Sequence, residues 1–199
     1  MTQEIQNQEG LKTQLRDFVH GTRIETRRRR RDGRWWWILG LIGWAASKKH
    51  ELSPDWVRQG TQIQEALSWV PKECLPELFS LGEVLEKLPV MEGRRNEHRK
   101  ANRMTFELQE ALFITLNRLL AHRSPQELVL LDGPQRAFLR RAIFRTADSG
   151  FIACALLVLA TLQDVALHPQ AQELADHHPS ERIREAAGEY LRSHTSITV

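Results

Sequence analysis

Proline placement limits the folds open to this chain more than any other feature. The 199 residues include eight prolines. A proline cannot donate a helix hydrogen bond or sit in a central strand, yet it fits the first turn of a helix. Six of the eight (Pro54, Pro76, Pro125, Pro134, Pro169 and Pro179) stand just ahead of segments with apolar residues at helical spacing, and Pro71 and Pro89 follow such segments. Beyond residue 50 the chain therefore reads as short helices bounded by proline, with no convincing strand.

Several boundaries carry more than a proline. Ser53, Pro54 and Asp55 read as N-cap, first position and acidic first turn, and Trp56, Gly60, Ile63, Leu67 and Val70 mark one face of a helix ending before Pro71. Pro76 opens a helix with Leu78, Leu81, Leu85 and Leu88 inward, closed by Pro89. The polar stretch EGRRNEHRK then reads as a linker. From about Ala101 to His122, Met104, Leu108, Ala111, Leu112, Thr115 and Leu119 predict the longest amphipathic helix. Ser124, Pro125 and Glu127 form a capping box for a short helix ending near Asp132 and Gly133, and Pro134 opens one to about Thr146. FIACALLVLATLQ, capped by Asp148 or Ser149, is apolar nearly all round and is expected to be the central buried helix; His168 with Pro169 and His178 with Pro179 introduce the last two. Near the start, Leu11, Leu15, Phe18 and Val19 fit a helix bracketed by Gly10 and Gly21.

These helices repeat. Pro134 and Pro179 lie 45 residues apart, with Phe138 matching Ile183 and Ala142 matching Ala187; Pro125 and Pro169 differ by 44, and Leu108, Leu112 and Thr115 map onto Ile152, Leu156 and Leu159 at the same offset. A period of 40 to 47 residues made of two antiparallel helices is that of HEAT and armadillo units, which stack because one unit cannot bury its own apolar faces.

The chain resembles this family in detail over residues 149 to 193. HPSERIREAAGEYLRS is similar to the second helix of a HEAT repeat, with Pro179, Ile183, Arg184, Ala186, Ala187 and Leu191 at the motif positions. LATLQDVALHPQAQELA resembles the first helix and the turn after it, with Asp164 at the acidic turn position. His178 stands where the family usually has aspartate, so the Asp/Arg ladder between repeats lacks its usual member there. The likeness is looser over 101 to 146 and covers 50 to 90 only as helix pairs. It implies an all-α fold, a short right-handed solenoid over residues 50–199 behind an N-terminal segment 1–49, with Phe138, Ala142, Ile183, Arg184, Ala187 and Leu191 in the packing between helices, and protein binding as the general function.

Composition sets the outer limits. With 41% hydrophobic and 27% charged residues the chain can bury a core in water. Cys74 and Cys154 lie 80 positions apart without zinc or redox spacing, so a reducing compartment and a cytoplasmic location are expected. The polar start MTQEIQNQEG has no apolar signal core. No H-E-x-x-H, G-x-S-x-G, phosphate-binding loop or dinucleotide glycine pattern is present, so the expectation is a non-enzyme without cofactor. His168, Glu173, Asp176, His177 and His178 crowd one turn, but short polar residues before Pro179 read first as helix caps, and no metal is expected. Cys154 should be an inert core thiol, and Cys74, beside Glu73, has no activating cation in sequence.

The net charge of +3 conceals a gradient: residues 1 to 34 hold nine Lys/Arg against five Asp/Glu, and residues 150 to 199 hold three against six. At the basic end Arg27, Arg28, Arg29, Arg30, Arg31 and Arg34 abut WWWILGLIGWAAS, with Trp35, Trp36, Trp37 and Trp44. As a helix this stretch would span roughly 20 Å, short of the roughly 30 Å of a bilayer core. Basic residues flank it on both sides, which favours lying on the cytoplasmic face of an anionic membrane over crossing it. The competing expectation is a cap, with the tryptophans packed on the first helix pair. Nucleic acid is a third and weaker expectation, resting on Arg27 to Arg31 with Arg94, Arg95, Arg99, Lys100 and Arg103. The combined reading is a HEAT-like adaptor or scaffold for a protein partner.

Overall fold

A computed structural model describes residues 9–22, 54–88 and 96–195, all of them in helices, turns or short connections. The arginine and tryptophan run at 27–47 lies outside the described residues, as do Arg94 and Arg95. Among the described residues the fold is all-α, with no strand. Nine α-helices follow in chain order: α1 over 9–22, α2 (Pro54–Leu67), α3 (Leu75–Lys87), α4 (Asn96–Ala121), α5 (Pro125–Leu128), α6 (Gly133–Ala142), α7 (Ser149–Thr161), α8 (His168–His177) and α9 (Glu181–Thr195). Contacts gather into two compact units, residues 1–109 and 110–199, so the seam falls inside α4.

In the first unit the apolar stripes face inward as spaced. Leu11, Leu15, Phe18 and Val19 of α1 are buried, as are Gly60, Ile63 and Leu67 of α2 and Leu78, Leu81 and Leu85 of α3. Gly60 is required by close approach: a Cβ there would lie 2.9 Å from Met104 Cγ. Leu88, expected inward, is half-buried, because ahead of Pro89 its backbone turns extended (φ −67°, ψ 128°) and leaves the helix. The linker expected over 92–100 is helical from Asn96 onward, which makes α4 26 residues long.

In the second unit α7 is the centre: every residue from Gly150 to Ala160 except Leu157 is buried. Asp148 caps it, its Oδ1 accepting from Gly150 N at 2.8 Å and Phe151 N at 3.0 Å. The capping box at Ser124 and Glu127 forms as read. A second box was not read from the sequence: Asp132 Oδ1 accepts from Gln135 N at 2.8 Å while Gln135 Oε1 accepts from Asp132 N at 3.1 Å, so Asp132 starts α6 instead of ending α5. Helix α6 stops at Ala142, one turn short of Thr146. Leu119 is half-buried, and Leu116 and Leu120 take the inward positions, continuing the four-residue step from Met104, Leu108 and Leu112. Pro179 lies two residues ahead of α9, whose first bonds run from Ile183 N and Arg184 N to Ser180 O.

Burial follows the repeat. Phe138 and Ile183 are buried alike, as are Ala142 and Ala187, and so are all six residues of the pairs Leu108/Ile152, Leu112/Leu156 and Thr115/Leu159. Helix α6 packs on α7, and α9 packs on both α7 and α8.

Candidate functional site

The turn after α7 organises the second unit. Gln163 takes a left-handed backbone conformation (φ 53°), Gln163 N donates to Ala160 O and Asp164 N to Leu159 O, the pair of bonds that closes a helix end around a left-handed residue. Glycine usually fills that position, since other residues pay roughly 1–2 kcal/mol there. The turn delivers Asp164 to three tasks. Its Oδ1 accepts from Ala166 N and starts a 3-10 turn over Val165–Leu167; its Oδ2 pairs with Arg140 of α6 at 2.5 Å; its carbonyl accepts from the Tyr190 hydroxyl. The same hydroxyl accepts from Leu167 N at 3.2 Å. Burial pushes the Tyr190 phenol up, and the bond from Leu167 opposes that in part.

A groove opens on the other side of α7, with a volume of about 380 Å³. Its floor is Ala153, Cys154, Leu157 and Val158; one wall is the end of α4 (Asn117, Leu120, Ala121) with Arg123 just beyond it, and the other is α9 (Arg182, Glu185, Ala186, Glu189). Leu157 is the one residue of α7 between Gly150 and Ala160 that faces out, 37% exposed. Exposed Arg182, Glu185 and Glu189 make no ion pair or hydrogen bond among the described residues. Burial pushes the Cys154 thiol up to about 11, Arg182 pulling weakly the other way. Cys74 is likewise raised, by burial first and then by Glu77. Both thiols are free and buried, which fits the inert role read from the sequence. A smaller hollow of about 310 Å³ lies between α1 and α3, where Glu77 Oε1 accepts from Arg16 Nε at 3.0 Å and from its terminal nitrogen at 2.7 Å.

The residues singled out in the sequence are packing residues more than contact residues. Phe138 and Ala142 lie inside against α6's neighbours, and Ile183 and Ala187 are buried on α9. Arg184 is half-buried and donates to His178 O at 2.8 Å and Pro179 O at 3.1 Å, tying down its own helix start; Leu191 is half-buried. His178 serves in the aspartate-like position as an acceptor, its Nδ1 taking the bond from Ser180 N. Among the described residues no three His, Cys, Asp or Glu side chains converge as a metal site. The membrane candidates Arg27, Arg28, Arg29, Arg30, Arg31, Arg34, Trp35, Trp36, Trp37 and Trp44 lie outside the described residues. The groove itself was not read from the sequence. Its one sequence signal is the row Arg182, Glu185 and Glu189, spaced by three and four on the polar side of α9.

The chain matches no protein-family model, no curated protein and no solved structure.

Proposed function

We propose that this chain is a non-enzymatic, HEAT-like adaptor or scaffold, a short right-handed solenoid that binds a protein partner, with its arginine and tryptophan segment resting on the cytoplasmic face of an anionic membrane. The observation that carries this reading is the groove on α7, where an outward leucine lies beside the α9 wall, whose Arg182, Glu185 and Glu189 make no ion pair among the described residues. An exposed apolar residue rimmed by solvated charge suits an interface. The solenoid part of the reading is supported by burial that recurs at offsets of 44 and 45, and by Arg140, which links α6 to the turn after α7 through Asp164 much as an Asp/Arg ladder links neighbouring units. The peripheral membrane part rests on the sequence of residues 27–47; no helix among the described residues is long and apolar enough to cross a membrane.

Nucleic-acid binding has less in its favour. Among the described residues the second basic cluster comes down to exposed Arg99, Lys100 and Arg103, and Arg103 already has a carboxylate, Glu107, at 2.6 Å. Affinity capture of the full chain, treated with nuclease and washed at high salt, tests the choice. A stoichiometric protein partner that survives both treatments is expected; retention of nucleic acid alone, lost with salt, would overturn the adaptor reading.

A further inference from the structure

We infer that the groove on α7 takes a short amphipathic helix of a partner protein, apolar residues down on Leu157 and basic residues alongside Glu185 and Glu189. This rests on the adaptor reading and names the ligand of its groove. Three observations lead to it.

First, both walls and the floor are helices whose backbone groups are already bonded within the helix, so no strand edge is on offer to an extended peptide. The lining holds no aromatic side chain, which removes the usual platform for a proline-rich segment. A helix laid in the groove is the recognition mode that remains.

Second, the stretch of α7 that lines the groove, closed at its far end by the polar Thr161, has the length such a helix needs. From Cys154 to Thr161 is seven residues, about 10 Å along α7, which matches the distance between positions i and i+7 of a partner helix. Leu157 sits between those limits and offers its side chain to an apolar residue at i+3 or i+4.

Third, the charges are ordered. Arg182 lies at the start of α7: its guanidinium is 3.6 Å from where a Cβ on Gly150 would be. Tyr190 lies at the other end, on Asp164 and Leu167, so α9 runs along α7 in the same direction, and Glu185 and Glu189 follow Arg182 toward the end of the floor. A helix with one acidic residue at the Arg182 end and basic residues toward Glu189 meets each charge of the α9 wall with its opposite, while Arg123 on the facing side is paired with Glu127 at 4.0 Å; the two carboxylates repel phosphate-rich or anionic surfaces.

The test is selection from a displayed library of helical 16-residue peptides on the full chain, followed by solution affinities for the enriched peptides. The expected motif has apolar residues at i, i+3 or i+4, and i+7, with Lys or Arg on one flank. Leu157→Asp should weaken those peptides at least tenfold. The pair Glu185→Lys and Glu189→Lys, both on exposed positions, should do the same and should select peptides with acidic flanks in a repeat of the experiment. Circular dichroism checks that the variants stay folded, and the charge pair decides alone if Leu157→Asp does not. Enriched peptides that bind all variants equally, or show no basic flank, overturn the groove assignment and leave the adaptor reading standing. A library that yields no binder at all also overturns the groove assignment, and the adaptor reading then stands or falls by the capture experiment above.

Discussion

Tyr190 is the only tyrosine in the chain, and it is fully buried. Its hydroxyl gives one hydrogen bond to the Asp164 carbonyl and receives another from Leu167, so a single oxygen ties α9 to the turn that follows α7. Tyr190→Phe keeps the ring and leaves a buried amide and a half-buried carbonyl without this partner; a loss of about 1–3 kcal/mol is expected in a chemical denaturation curve. The sequence shows a tyrosine three positions past Ala187 and no more, because its partners lie 23 and 26 residues away through a left-handed turn that glutamine does not announce. The thiols were easier to read, since an apolar helix around Cys154 already implied burial. With the native Cys154 pKa raised to about 11, the protonated form is favoured on folding. Its contribution to stability is therefore complete below the unfolded pKa of roughly 8.5 and disappears as pH rises through 11. At pH 8 an aromatic disulfide reagent should modify neither cysteine until denaturant is added, and the melting temperature should fall between pH 9 and 11; rapid modification of the native chain would contradict the buried setting of both thiols.

At the scale of elements, proline and cap residues were readable and helix ends were not. A capping box is a local device, so Ser124 with Glu127 could be found by spacing alone. Asp132 with Gln135 is the same device hidden by Gly133 and Pro134, a pair that reads equally as a stop. The helix α4 was placed correctly in its middle and truncated at its start, because Asn96 to Lys100 are polar and carry no apolar period to extend. The repeat gives the element-scale prediction. Ala142 and Ala187 hold one place in α6 and α9 and are both at 0% exposure, so Ala142→Glu and Ala187→Glu each place a carboxylate where no water or cation meets it. Both should cost several kcal/mol, seen as a large drop in melting temperature by circular dichroism. A variant that melts with the wild type would remove the main support for two equivalent units.

On the scale of the whole molecule, charge separates along the chain, and four of the six tryptophans stand beside the basic end. If residues 27–47 form an interfacial anchor, the full chain sediments with anionic vesicles at low salt. Replacing the five arginines 27–31 with glutamine should then abolish most of that binding, and replacing Trp35, Trp36 and Trp37 with alanine should do the same without changing the helical content of residues 50–199. The packing alternative expects the reverse: no vesicle binding from the start, and a tryptophan variant that loses roughly 3–5 kcal/mol per ring removed. A wild-type chain indifferent to anionic vesicles would end the membrane part of the proposal. The all-α class was legible because apolar residues at helical spacing recur in segment after segment beyond residue 50. The groove was not, since it needs the end of α4 and the polar side of α9 to come together 60 and more residues apart in sequence.

Helix α4 also decides what can be removed from this protein. The boundary between the two units falls between Gln109 and Glu110, in the middle of 26 helical residues. A fragment starting at residue 110 would open on four amides stripped of the carbonyls at 106 to 109, and without the cap that a natural helix start provides. A protease would find no loop at the seam, only a backbone it must first unwind. Insertion or loss of even one residue near Gln109 would turn every later side chain of α4 by about 100° about the helix axis.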